Sequence, residues 1–278
     1  MKHLENMIFD QERALYNSSD LILTNCDFKG LADGESALKE SRNIFVDNCN
    51  FLLRYPFWHN THVKIESSNF ENTCRAAIWY CDDISITNSK LHGIKALREC
   101  NNVTIYNCGI DSTEFGWFIN NISMKNTVVT SEYFMMKSTN LNFNNVTLNG
   151  KYSFQYIKNS NFEDCNLNTK DAFWHADNVV IKNSVIKGEY LAWYCNNVTF
   201  INCKIIGTQP FCYCNNLTLI DCEMIDTDLA FEKSTVNATI ISTIDSVKNP
   251  SSGTIKVKKI NQIIIDDITS NCEIIETN

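Results

Sequence analysis

The sequence predicts an all-β chain wound as a single-stranded right-handed parallel β-helix. Three observations predict it: a strict repeat near 19 residues, asparagine gathered into fixed columns of that repeat, and no helical periodicity. The 278 residues include 37 Asn but only 9 Gly and 3 Pro, so another residue must make the turns. Each copy is anchored on the polar residue that follows a short apolar run. The anchors are Asn25, Asn48, Ser67, Asn88, Asn107, Asn126, Asn145, Asp164, Asn183, Asn202, Asp221 and Ser242. They stand 23, 19 and 21 residues apart, then 19 apart seven times, then 21.

The first strand comes from apolar residues four and two before each anchor, such as Leu21 and Leu23, Ile44 and Val46, Ile84 and Ile86, Val198 and Phe200. Alternation with period two buries one face. A second short strand follows the anchor by three, at Phe28, Phe51, Phe70, Leu91 and Ile110. A third precedes it by ten, at Phe57, Ile78, Leu97, Phe154 and Phe173. Three short strands per copy, with no hairpin dipeptides, give stacked coils, and the handedness rule for parallel crossovers makes them right-handed.

Asparagine supplies the corners. The anchors form one column, and Asn43, Asn102, Asn121, Asn140, Asn178, Asn197, Asn216 and Asn237 form another, five before them. Asn tolerates left-handed backbone, and stacked amides can bond from coil to coil. About twelve coils are expected in one domain spanning 1–278. It divides into an N-terminal cap and first coil (1–19), regular coils (20–247) and a C-terminal capping segment (248–278).

Composition narrows the function classes. With 24 basic and 32 acidic residues the net charge is −8, which disfavours nucleic acid and anionic membrane surfaces as partners. No apolar run resembles a signal peptide or approaches the ~20 residues of a membrane span, so a cytoplasmic location is expected. The 13 Cys contain no C-x-x-C pair, and the five His are scattered. Reduced, mostly buried thiols are therefore expected, with no metal and no cofactor.

The segments GESALKE (34–40), RYPFWH (54–59), CRAAIWY (74–80), GIKALREC (93–100) and VKNPSSGTI (247–255) resemble a bacterial family catalogued only as a domain of unknown function. The chain as a whole resembles the pectin-lyase-like β-helix superfamily that includes pectate lyases and polygalacturonases. That resemblance implies the fold. The superfamily's calcium-binding acidic cluster with a catalytic Arg, and its G-H-G and R-I-K type segments, have no counterpart here.

Candidate binding residues cluster on the third side. Nine before the anchor stand all five Trp, and Glu40, His59, Tyr80, Glu99, Tyr156, His175, Tyr194 and Tyr213 lie beside that column. Outward aromatic rows suit sugar rings or another extended ligand, or they simply bind neighbouring coils together. All five Arg precede residue 100. Glu35–Arg54, Glu132–Lys151 and Lys170–Glu189 fall on adjacent coils as expected ion pairs, which leaves Arg75 as the freest cation. Lys39, Glu40, Arg54, Trp58, His59, Arg75, Trp79, Arg98 and Glu99 are thus the expected ligand-binding cluster, for an acidic or neutral oligosaccharide. A polysaccharide lyase or hydrolase and a protein-interaction scaffold are the alternatives. Glu40 and Glu99 sit three coils apart, ~14 Å, beyond the ~5–9.5 Å of paired glycosidase carboxylates, which weighs against an enzyme.

Overall fold

The computed structural model describes residues 1–30 and 35–277. Gly34, in one of the segments quoted above, and Asn278, the end of the expected C-terminal cap, lie outside them. The chain divides into two compact units, Met1–Ser138 and Thr139–Asn278. Each is a parallel β-solenoid, and the turns number about 14 in all, not twelve.

In the first unit the leading strand of each coil runs Lys2–Glu5, Ser19–Thr24, Arg42–Asp47, Thr61–Glu66, Asp82–Thr87, Asn101–Tyr106 and the start of Asn120–Glu132. Each pairs in parallel with the next, so Leu21 lies opposite Ile44, Ile44 opposite Val63 and Ile84 opposite Val103. These residues are buried while Ile22 and Phe45 between them are half-exposed, as a one-sided strand requires. After the corner, Phe28, Phe51 and Phe70 stack inside with ring centres 4.7 Å apart. Each such buried ring contributes roughly 1.5–3 kcal/mol.

The second unit repeats the scheme through Thr139–Lys151, Lys158–Glu163, Asp177–Lys182, Asn196–Ile201, Asn215–Ile225, Thr235–Lys248, Ser252–Ile264 and Asn271–Glu276. Val179 pairs with Val198, and Val198 with Leu217.

The asparagine corners are left-handed, with φ of 54° at Asn25 and 53° at Asn107. Their amides form ladders: Asn48 donates to Asn25 and Asn107 to Asn88, each at 2.7 Å. The second column does the same, Asn121 to Asn102 and Asn216 to Asn197, each at 2.7 Å. The rungs explain why Asn is used here in place of Gly. Gly tolerates the backbone but has no amide to pass on.

The two ends of the chain differ in how regular their coils are. Leu4, Asn6 and Phe9 already form a coil. Lys2–Glu5 pairs with the following strand, Asn6 has φ 55° and Phe9 stacks on Phe28 at 5.0 Å. Near the other end, the register shifts between Leu219 and Cys222. Asn216 and Asp221 donate their backbone N–H groups to Thr235 and Thr239, at 2.7 and 2.9 Å. These threonines hold the corner positions expected of Asn237 and Ser242. The coil is shorter by one residue, a bulge that no residue pattern marks.

Candidate functional site

On the third side of the first unit, Ile78–Trp79 pairs with Phe57–Trp58 and Leu97–Arg98. Phe57, Ile78 and Leu97 point inward and are fully buried, so Trp58, Trp79 and Arg98 face outward, though they are half-covered. The Trp58 and Trp79 indoles lie parallel at 5.1 Å. Their N–H groups donate to the next coil, Trp58 to the Ala76 carbonyl and Trp79 to that of Lys95, both at 2.8 Å. Trp117 does the same to Tyr133 at 2.6 Å. In the second unit Trp174 and Trp193 donate to Tyr190 and Gln209 at 2.7 Å. Gln155, in the same column, uses its side-chain amide identically on the Asp171 carbonyl. This shared bond shows what the column does: it ties a side chain to the backbone one coil on.

The neighbouring column is exposed. His59 stacks on Tyr80 at 4.9 Å, and in the second unit His175 lies between Tyr156 and Tyr194, with Tyr213 following at 4.8 Å. Each takes left-handed backbone, φ 55–61°, at a cost of roughly 1–2 kcal/mol. Ring stacking contributes about 0.5–1.5 kcal/mol in return. Ring faces that contact one another present only edges to solvent. A sugar stacks on a face, so these rows offer it little within their length.

The nine expected binding residues fall into two groups. Lys39, Glu40, Trp58, His59, Trp79, Arg98 and Glu99 follow the aromatic side. Glu40 accepts the Tyr16 hydroxyl at 2.6 Å, and that bond raises the phenol's pKa above its ordinary value. Arg98 is held between the indoles of Trp79 and Trp117 with Glu114 3.9 Å away, so its charge is spoken for. Arg54 and Arg75 line a groove around the corner, of about 680 Å³. The corner is made by Tyr55 and Ala76, with φ of 58° and 48°, which turn the chain between Arg54 and Trp58 and between Arg75 and Trp79.

Arg54 pairs with Glu35 at 3.5 Å, as expected. Lys170 and Glu189, the pair expected in the second unit, form no ion pair. Arg75 is exposed and its guanidinium meets no described hydrogen-bond or ion-pair partner. The groove also contains Asn72, Thr73, Asp111 and Thr113, with Leu52, Leu53 and Ile94 as apolar surface. Sequence reasoning missed these, yet a signal existed. The Ser68–Ser89 rung spans 21 residues where the Cys49–Ser68 rung spans 19. The two extra residues fall in the 71–77 segment that raises Asn72 and Thr73 beside Arg75. At the floor, Gly93 has φ +82°, and a Cβ there would stand 2.8 Å from the Cys74 carbonyl oxygen. Among the described residues, no three His, Cys, Asp or Glu side chains are grouped to hold a metal ion.

A family model described as "Protein of unknown function (DUF3737)" matches residues 2–276. No curated protein matches the chain. Among solved structures it is similar to PfbA, a surface adhesin of Streptococcus pneumoniae, at 12% identity and TM-score 0.36, over 94% of this chain and 70% of that one. It is similar to the A-module of the Azotobacter vinelandii mannuronan C-5 epimerase AlgE4 at 8% identity and TM-score 0.33, over 91% and 90%. A lacto-N-biosidase of Eubacterium ramulus gives 8% identity and TM-score 0.32, over 98% of this chain and 61% of that one.

Proposed function

The chain belongs to the family described as a protein of unknown function, DUF3737, and from its groove we propose that it binds an acidic oligosaccharide, with Arg75 as the anchoring cation. The observation that carries this reading is an exposed guanidinium without an ion-pair or hydrogen-bond partner, inside a groove of about 680 Å³. Cavities of roughly 300–1,000 Å³ suit small ligands. A guanidinium presents paired N–H groups that match a carboxylate. Asn72, Thr73 and Thr113 offer donors and acceptors to hydroxyls, and Leu52, Leu53 and Ile94 offer apolar surface to the C–H face of a pyranose.

Asp111 points the same way. A carboxylate in the groove repels a simple anion such as phosphate, but it accepts hydrogen bonds from the hydroxyls of a sugar that also carries a carboxylate. The aromatic side is read as support, because its ring faces and indole N–H groups are already engaged. The reading is one of binding without turnover.

Titration calorimetry with a galacturonic acid trimer, and with a neutral glucose trimer of equal length, tests it. The acidic trimer is expected to bind, and Arg75→Ala is expected to weaken it at least about tenfold, or ~1.4 kcal/mol, with an unchanged melting curve. Failure of both trimers to bind, or equal binding by Arg75→Ala, would sink the proposal. Depolymerisation of the trimer would replace binding with catalysis.

A further inference from the structure

The second unit carries a groove of about 560 Å³ built from the same positions of the repeat. Its lining lies four to six residues after the anchors Asn145, Asp164, Asn183, Asn202 and Asp221. The lining of the Arg75 groove stands four to six after Asn48, Ser67, Asn88 and Asn107. Arg75 fits that rule once the two extra residues are set aside. Its carbonyl accepts from Tyr55 N–H as the Thr113 carbonyl accepts from Lys95 N–H.

Three lysines, Lys151, Lys170 and Lys187, line this second groove, together with Glu189 and Asp226. Lys151 lies over the Tyr152 ring at 5.6 Å. Lys170 and Lys187 make no side-chain hydrogen bond or ion pair with a described residue. Glu189, next to Lys170 in its column, leaves it unpaired. The floor is bare backbone. A Cβ on Gly188 would stand 2.3 Å from the Thr169 carbonyl oxygen, and one on Gly207, at φ +132°, would stand 2.3 Å from that of Gly188. Coils this closely approached admit no side chain, so the glycines keep the groove open between the lysines.

We propose that this groove is a second binding site for an acidic sugar, with Lys170 and Lys187 holding the carboxylate and Glu189 or Asp226 accepting hydrogen bonds from the hydroxyls. The ligand class rests on the reading of the Arg75 groove, whose mixture of free cation and carboxylate recurs here on different residues. Lysine supplies a mobile point charge in place of the guanidinium fork, so this site is the less selective of the two for carboxylate geometry.

Calorimetric stoichiometry with the galacturonic acid trimer separates the two sites. The wild-type chain is expected to take up about two equivalents. Arg75→Ala and the double variant Lys170→Ala/Lys187→Ala are each expected to take up about one, with melting curves like the wild type. One equivalent in the wild type, lost in Arg75→Ala and kept in the lysine variant, would overturn the second site and leave the first. One equivalent kept in Arg75→Ala and lost in the lysine variant would do the reverse. Uptake of the neutral glucose trimer at this site with equal affinity would overturn the charge-based assignment.

Discussion

The Arg98 guanidinium lies 4.2 Å from the centre of the Trp117 indole. With Trp79 at 5.3 Å on the other side, it occupies the place an indole takes elsewhere in the column. A cation between two rings, with its side chain only 14% exposed, is worth up to about 2 kcal/mol when shielded from water. Arg98→Met keeps the length and loses the charge, and is expected to destabilise the first unit by about 1–2 kcal/mol in chemical denaturation. Trimer binding should stay unchanged, because Arg98 is outside the Arg75 groove. A loss of binding at unchanged stability would move the site to the aromatic side.

The indole N–H bonds make a related prediction. Trp79→Phe keeps a stacked ring beside Trp58 but removes the donor to the Lys95 carbonyl. The expected cost is about 1–2 kcal/mol, the usual range for losing one partner of a shielded hydrogen bond. Denaturant titration monitored by circular dichroism reads it. No measurable change would mean that water replaces the indole and the column is held by stacking alone.

Much of this was legible because a solenoid converts sequence period directly into spatial neighbours. Asn25 and Asn48, chosen from the sequence as anchors, share a hydrogen bond. Phe28 and Phe51, chosen three after them, stack. What stayed illegible was rotation about the coil. Arg54 and Trp58 belong to one binding cluster in the sequence reading, but the left-handed turn at Tyr55 places them on different sides. That turn sits on a tyrosine, which carries no left-handed signature. The final corners were missed for a similar reason. Thr239 donates its hydroxyl to Asp221 Oδ1 at 3.3 Å, as the corner amides donate elsewhere, while the Thr235 and Thr239 hydroxyls also accept the backbone N–H groups of Asn216 and Asp221.

Gly93 supplies a test of the groove floor. With φ +82° and carbonyl oxygens of Cys74 and Asn72 at 2.8 and 3.1 Å from a would-be Cβ, Gly93→Ala must displace backbone at the base of the 71–77 segment. A destabilisation of about 1–3 kcal/mol is expected from the strained backbone, with weaker trimer binding as Arg75 shifts. Wild-type stability and affinity in this variant would mean the segment yields freely and does not set the groove.

Asp171 predicts a pH effect. It is 7% exposed, and burial raises its carboxyl pKa above the usual value, against the pull of Lys170 and with added repulsion from Glu189. A raised folded pKa means the native state holds its proton longer than the unfolded chain does. Stability is therefore lost as pH rises from the ordinary Asp value toward the folded one. Asp171→Asn removes that loss and suits the left-handed backbone there, φ 51°. The variant's stability advantage should grow as pH rises through the carboxylate range, read by denaturant titration at several pH values. An advantage independent of pH would assign it to backbone preference alone.

The cysteines predict a thiol count. All 13 are free, 12 are buried, and Cys272 alone is partly exposed. Stacked cysteines stay uncrosslinked because parallel side chains point the same way. Cys49 Sγ accepts the backbone N–H of Cys26 at 3.3 Å and the Sγ of Cys100 accepts that of Cys81 at 3.4 Å. Burial pushes the thiols of Cys49 and Cys212 up to about 12, and it leaves all twelve buried thiols without an open path for a reagent. Ellman's reagent at neutral pH should titrate at most one thiol in the native protein, that of Cys272, and all 13 in guanidinium. Cys272→Ser should bring the native count to zero. Rapid labelling of several thiols in the folded state would show that the coils open locally, and a count in guanidinium short by pairs would show disulfides where the stacked geometry has none.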